Sequence, residues 1–380
     1  MKISVIGCGR WGTFHAWYAD KIGHEVTLYG RETSANYKRL SETGENDFLK
    51  LPSTVRLTTD IFSAINSAEV ILISVGAQNL RGLLQEIISL PEIDFAEKKF
   101  VLAMKGLERG TGKRLSTVFN EVVNKIPATD TTSIKRDGIT NEKLNSVFVS
   151  ENILPSFEKE FSPLKDDTKF PEQIFSTVQK ISTKKINVAV WVGPGHVQDF
   201  VKDIPNCMVM ASADENFTHE LVGIFKSPLI RFYYGADLIG IEIGAAAKNV
   251  VGIAAGMLDG LNFTSLKGAL MARGTAELSR LISALGGDKM TVYGLSHLGD
   301  YQATLFSDYS NNRRFGESFV TGKNFDKLAE GVETVAALME LSKITGVELP
   351  ISRAVYKILY ENKNPKDQLT ELFLRSTKAE

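Results

Sequence analysis

At 380 residues, with 43% apolar and 23% charged side chains, the chain has the make-up of an ordinary globular protein and the length for two domains. Its 44 Lys and Arg against 45 Asp and Glu leave a net charge of −1, which argues against nucleic acid or an anionic membrane as partner. Cys8 and Cys207 stand far apart, and the five histidines keep no metal-ligand spacing, so neither a disulfide framework nor a metal site is expected. The first residues run straight into a structural motif rather than a signal peptide, and no apolar run is read as reaching the roughly 18 residues of a membrane span. A cytoplasmic protein is expected.

The chain opens on a short apolar strand, Lys2 to Ile6, followed by Gly7-Cys8-Gly9-Arg10-Trp11-Gly12 and a helical stretch from Thr13 to about Ile22. A GxGxxG carries little weight alone, but here it lies between strand and helix, and a second strand, Glu25 to Tyr29, completes a βαβ unit. The first glycine makes the turn, the second admits a pyrophosphate, and the third lets the helix close on the strand. The helix N-terminus then offers its partial positive charge to the phosphates. Gly7, Gly9, Arg10, Trp11 and Gly12 are thus candidate cofactor residues. Where NAD enzymes place an acidic residue at the end of the second strand, this chain has Gly30-Arg31, with Glu32 after it. A small neutral residue followed by Arg31 accommodates a 2′-phosphate, so NADP(H) is expected as cofactor, with NAD(H) as the second choice.

Further strands are expected at Val55–Thr58, Glu69–Val75 and Lys99–Met104, with helices at about 60–68 and 78–90. This alternation predicts an α/β, Rossmann-type, mostly parallel doubly wound sheet, whose ligands bind beyond the carboxyl ends of the strands. Lys105 falls there, as donor to an anionic substrate or as a solvated loop lysine. From about 127 to 170 the pattern breaks into a polar insertion without clear periodicity. The sheet resumes at Ile186–Val192, turns through Gly193-Pro194-Gly195-His196, and ends with strands near 206–211 and 230–234. Residues 1–236 are therefore expected to form the dinucleotide-binding domain.

Residues 237–380 are expected to be all helical, with helices over roughly 238–259, 265–285, 325–345 and 351–361. Two polar clusters lie between them, Leu298-Gly299-Asp300 and the loop Ser310-Asn311-Asn312-Arg313-Arg314-Phe315-Gly316. In the run Gly240–Gly260 the sole charge between Glu242 and Asp259 is Lys248. Helical spacing puts Gly244, Ala245, Gly252 and Ala255 around it. Each glycine costs such a helix roughly 1 kcal/mol against alanine, a cost met where something large comes close: a backbone, a substrate or a cofactor. A desolvated lysine there has a pKa low enough for acid–base work; the plainer alternative is a snorkelling lysine on a buried helix.

Taken in order, GCGRWGT, GHEVTLYGR, MKGLERGTG, VGPGH, GAAAKNVVGIAAGMLDG, ALMARGTAELSRL, LGD, NNRRFG, EGVET and GVELPI resemble the bacterial type of the NAD(P)-dependent sn-glycerol-3-phosphate dehydrogenase family. The resemblance covers nearly the whole chain outside about 127–170. It implies a Rossmann domain, a helical domain and an active site between them. It also implies that Lys248 is the catalytic lysine with Asp300 beside it. Lys105, Gly193, Ser310, Asn311, Asn312 and Arg313 would contact substrate; Arg10, Trp11, Arg31, Lys105, Val197 and Glu330 would contact cofactor. A homodimer is compatible with it. Three features depart from the family pattern. The turn hydroxyl is replaced by Gly195, the phosphate-clasping arginine by Asn311, and the long insertion is unusual. Arg313, or a lysine of the insertion, is expected to replace the missing charge.

The implied activity is reversible reduction of dihydroxyacetone phosphate to sn-glycerol 3-phosphate, feeding glycerophospholipid synthesis. The alternatives are a related dehydrogenase acting on another hydroxy or keto compound, and a non-catalytic dinucleotide sensor.

Overall fold

Short runs of Val, Ile and Leu with no polar face are stable as strands only when helices cover both sides of the sheet. In a computed structural model describing residues 1–90, 93–125, 185–372 and 374, this is what they form. The 127–170 insertion lies outside the described residues. The strands are β1 (Lys2–Ile6), β2 (Glu25–Tyr29), β3 (Arg56–Thr58), β4 (Val70–Ile73), β5 (Lys99–Leu102), β6 (Val188–Val192), β7 (Asn206–Ser212) and β8 (Ile230–Gly235). They make one sheet in the order β3-β2-β1-β4-β5-β6-β7-β8. All neighbours are parallel except β6 and β7, so the last two strands run against the first six.

Every residue of β4 is buried, and its period-two alternation divides the core. Val70 and Leu72 join Ile3, Val5 and Phe14 on one face. Ile71 and Ile73 join Ile6, Phe100, Leu84 and Phe119 on the other. The covering helices include Arg10–Lys21 on the first face and Ile61–Ser67, Leu80–Ile88 and Leu115–Val123 on the second. Strand order therefore reverses beside β1, and the loops after β1, β4, β5 and β6 open at one edge, where such sheets bind ligands.

Beyond β8 the chain is helical around Leu238–Gly260, which is buried without a break from Gly240 to Leu258. This helix corrects the expectation about apolar runs: its 23 residues, with an 18-residue window of mean hydropathy 1.5, are long and apolar enough to span a membrane. Its most apolar window, however, is 89% buried inside the protein, which makes it a core helix apolar all round. The glycines are required by backbone contact. A Cβ on Gly256 would lie 1.8 Å from the Arg313 carbonyl oxygen, and one on Gly316 would lie 2.1 Å from that of Ile253. The helices Leu238–Gly260 and Asn311–Thr321 thus cross at van der Waals contact of their main chains.

Several local expectations need correction. The polar stretch 310–316 is the first turn and a half of the helix Asn311–Thr321, capped by Ser310, whose Oγ accepts from the Arg313 amide. The helix expected from 325 begins at Gly331. The helices Ala35–Thr43, Leu115–Val123 and Glu215–Phe225 had no separate expectation.

Candidate active site

The strand-end loops and the helical half enclose a cavity of about 370 Å³, within the range of small-ligand sites. From the sheet come Gly9 to Gly12, Ser74 to Gly76, Ala103 to Lys105, and Gly193 and Gly195 to Val197. From the helical half come Lys248, Asn249, Asp300, Ala303, Thr304, Tyr309 to Asn312, Leu328 and Glu330. The structure thus brings Lys248, Asp300, Lys105, Gly193, Ser310, Asn311, Asn312, Arg10, Trp11, Val197 and Glu330 to one cavity wall.

The charged centre is a single carboxylate oxygen shared by two lysines. Asp300 is 2% exposed, and its Oδ2 lies 2.8 Å from Lys248 Nζ and 2.8 Å from Lys105 Nζ. Lys248 also donates to Thr304 Oγ1 at 2.7 Å, and Lys105 donates to the Gly193 carbonyl at 2.7 Å. Burial brings the Lys248 ammonium down to about 8; Asp300 opposes that shift and Lys105 reinforces it. The plainer reading of Lys248 as a snorkelling lysine does not fit a nitrogen held at both ends inside the cavity wall. Lys105 likewise is not a solvated loop residue.

Irregular backbone places these partners. Asp300 closes a 3₁₀ turn, Leu298–Asp300, and Thr304 sits in a π-helical turn, Gln302–Phe306, of the kind that often marks a functional site. His297, fully buried, ties the segment to the lysine helix. Its Nδ1 lies 3.0 Å from the Gly244 carbonyl, and its Nε2 lies 2.6 Å from the Tyr301 hydroxyl. Burial lowers the His297 imidazole to about 4, so it is neutral. Gly244 leaves room for this contact, since a Cβ there would meet His297 Cβ at 3.1 Å. Thr304 was not among the residues expected from sequence. The one signal for it is its spacing, four residues after Asp300.

The cofactor side has the shape of a phosphate cradle. Gly9 and Gly12 line the cavity at the start of Arg10–Lys21, and no atom lies within 4 Å of where a Cβ on Gly9 would stand. Gly7 lies beneath them. The helix start has no side-chain cap, so its amides remain free for an anion. Arg10 reaches across to the Tyr309 carbonyl at 3.5 Å, with its guanidinium 5.5 Å over the Phe48 ring. Burial raises the Glu330 carboxyl to about 7, against the pull of Lys105, Lys248 and Arg10. These residues fit a dinucleotide. Arg31 stands off the cavity, more than half exposed, with Nη2 3.3 Å from Glu86 Oε2. Among the described residues no cluster of His, Cys, Asp and Glu could hold a metal.

The expected role of Arg313 is corrected. Its guanidinium turns away from the cavity to Asp259 at 2.7 Å, Asp308 at 2.5 Å and Glu317 at 3.3 Å, while Nε donates to the Ser307 carbonyl. Helical backbone from Asn311 onward sets that direction, and three carboxylates hold it. Asn311 lines the cavity with its Nδ2 donating to the Leu328 carbonyl at 3.2 Å. Asn312 accepts from the Gly331 amide at 2.9 Å. Gly195 has φ +138°, and a Cβ there would stand 2.7 Å from the Phe200 ring, which occupies the space of a side chain.

Comparison with known proteins agrees with the geometry. The model of the NAD-dependent glycerol-3-phosphate dehydrogenase N-terminus matches residues 2–132, and that of the C-terminus matches residues 237–370. Glycerol-3-phosphate dehydrogenase [NAD(P)+] of Pelodictyon phaeoclathratiforme is 30% identical over 391 residues, covering 100% of this chain and 99% of its own. That of a Thermoanaerobacter species is 30% identical over 392 residues with the same coverage. Among solved structures, glycerol-3-phosphate dehydrogenase from Coxiella burnetii superposes with a TM-score of 0.76 at 24% identity, covering 98% of this chain and 99% of its own, and so shares the fold.

Proposed function

Given that this chain belongs to the NAD-dependent glycerol-3-phosphate dehydrogenase family, we propose that Lys248 is the proton donor and acceptor of its reaction, with Asp300 and Thr304 holding the amine and Lys105 and the start of Asn311–Thr321 binding substrate. The enzyme is an NAD(P)-dependent dehydrogenase that interconverts dihydroxyacetone phosphate and sn-glycerol 3-phosphate. Family membership selects this activity over the related-dehydrogenase and sensor alternatives.

When bound, the nicotinamide exchanges a hydride with substrate C2. The rest is done by the chain. In reduction the Lys248 ammonium gives a proton to the C2 oxygen as negative charge develops there, and in oxidation the free amine takes it back. Asp300 balances two ammoniums that would otherwise repel, and it leaves the second proton-bearing group, Lys105, to hold substrate oxygen. Thr304 fixes the direction of Nζ. The observation that carries this reading is the buried Lys248 nitrogen, 2.8 Å from Asp300, in the cavity wall. Its test follows NADPH absorbance with dihydroxyacetone phosphate, dihydroxyacetone and 2-keto acids. Preference for a 2-keto acid would refute it.

The phosphate end has one charge fewer than the family pattern, and Arg313 does not restore it. Asn311→Arg should lower KM for dihydroxyacetone phosphate roughly tenfold, the effect of one charge-assisted contact, and leave activity on dihydroxyacetone unchanged. An unchanged KM would mean that the phosphate does not reach this helix start.

Arg31 supports a preference for NADPH, and Glu86 tempers it, because the pair leaves the pocket for a 2′-phosphate close to neutral. An exposed pair of this kind has a small effect, so Glu86→Gln should raise the NADPH-to-NADH ratio of kcat/KM by about two- to fivefold. Arg31→Ala should lower that ratio. Steady-state kinetics with both cofactors checks it, and a falling ratio in Glu86→Gln would contradict it.

The same reading places a division between the dinucleotide-binding and helical parts at residue 236, between β8 and Leu238–Gly260. It also places the enzyme in the cytoplasm, supplying glycerophospholipid synthesis, in keeping with the free thiols of Cys8 and Cys207. A homodimer remains its expected assembly, measurable by light scattering.

A further inference from the structure

We propose that His196 is a specificity contact of this enzyme, donating from its ring nitrogen Nε2 to a phosphate oxygen of the substrate in place of the groups absent at Gly195 and Asn311. The inference rests on the activity proposed above and names the group that recognises its phosphate.

Three observations converge on this side chain. First, residue 195 leaves no space for a contact of its own. Its backbone stands at φ +138°, and the Phe200 ring, 1% exposed, lies where a side chain would project. A contact from this turn must therefore come from a neighbour. Second, His196 Nε2 is shut off from solvent and has no hydrogen-bond partner in the protein. Buried polar atoms are rarely left so; the residue itself lines the cavity, and turning its ring to present Nε2 to a ligand breaks no hydrogen bond. Third, the ring stands beside the start of Asn311–Thr321, the phosphate end of the cavity. Its centroid is 5.4 Å from that of Tyr309, edge to face, and Tyr309 immediately precedes the Ser310 cap of Asn311–Thr321. It also feels the charges of Lys248 and Asp300.

The imidazole acts as a neutral donor. Burial lowers its pKa, with Asp199 and Asp300 opposing and Arg10 and Lys248 reinforcing. A neutral ring adds no charge that would compete with the Lys248 ammonium for the Asp300 carboxylate. It offers one N–H from a residue whose backbone is held at the start of the Val197–Phe200 turn by bonds from the Asp199 and Phe200 amides to its carbonyl.

The test compares kcat/KM for dihydroxyacetone phosphate and dihydroxyacetone, with KM for NADPH and thermal unfolding as controls. His196→Ala should raise KM for the phosphorylated ketone about tenfold or more, the effect of losing a hydrogen bond to a charged group. It should leave kcat, NADPH and the unphosphorylated ketone within a factor of two. His196→Gln, whose amide nitrogen reaches the same place, should recover most of the loss. A merely structural role would move all of these together and would not be rescued by glutamine. Equal losses on both ketones, a shifted NADPH KM, or an unchanged KM for dihydroxyacetone phosphate would each overturn the proposal. If the wild type does not reduce dihydroxyacetone phosphate at all, the underlying activity has failed instead.

Discussion

Lys248→Ala should lower kcat for ketone reduction by roughly 10²–10⁴-fold, the usual effect of removing a general acid, with NADPH binding close to wild type. The lysine is the charged group of the core helix aimed into the cavity, and the dinucleotide cradle at Gly9 to Gly12 belongs to a different element. Its loss should therefore appear in the chemical step. The same residue predicts a pH profile. An ammonium brought down to about 8 is the proton-donating form below that pH and the accepting amine above it. In the direction of reduction, kcat should fall as pH rises through about 8, and in the direction of oxidation it should rise over the same window. Stopped-flow or steady-state rates between pH 6 and 10, read at saturating substrate, check both limbs. Turnover of Lys248→Ala within a few-fold of wild type, or a reduction rate that climbs through pH 8, would remove Lys248 from the role.

What could be read in advance follows the physics of each signal. The strand–GxGxxG–helix unit was legible because its glycines have separate steric duties, and the buried parallel strands were legible because apolar runs bounded by turns have few other fates. Lys248 was legible because the sole charge between Glu242 and Asp259 in a long apolar run must be accounted for. The direction of Arg313 was not. Ser310 to Arg314 is polar throughout, so no periodicity marks a helix there, and the feature that anchors that helix, Gly316 against the Ile253 carbonyl, is a contact between residues far apart in the chain. Thr304 escaped for a related reason. It reaches Lys248 through a 3₁₀ turn followed by a π turn, and neither has the 3.6-residue rhythm that sequence patterns reveal. The antiparallel turn of β7 was hidden because an apolar strand reads alike in both directions.

The second large effect is expected far from the substrate, at Glu242. This carboxylate is 5% exposed on Leu238–Gly260, one and two-thirds turns before Lys248. Its Oε2 accepts from Arg114 Nη1 at 2.8 Å and from Ser116 Oγ at 2.5 Å, and its Oε1 accepts from the Ser116 amide at 2.9 Å. Arg114 precedes Leu115–Val123, a helix whose own N-cap residue makes no side-chain cap, so Glu242 caps it from another element. The chain between Lys105 and Arg114 is short, and the pair therefore holds both lysine-bearing elements in register across the cavity. Glu242→Ala would leave a largely buried guanidinium without its carboxylate, with the Ser116 hydroxyl at 3.3 Å as a neutral acceptor, and a helix-start amide without an acceptor. Loss of one partner of a buried pair costs about 3–5 kcal/mol. Because Arg114 keeps 22% of its side-chain surface exposed, the lower end, about 3 kcal/mol, is expected here. That is a large share of the roughly 5–15 kcal/mol by which a protein is stable. Glu242→Gln, which can still accept from the Ser116 amide, should lose less. The decisive comparison is the double variant Glu242→Leu with Arg114→Met. With no charge left uncompensated, most of the stability should return, since buried pairs replaced whole by apolar groups are often neutral. Denaturant unfolding of the three variants checks the order. A double variant as unstable as Glu242→Ala would show that capping of Leu115–Val123, rather than charge pairing, dominates at this site.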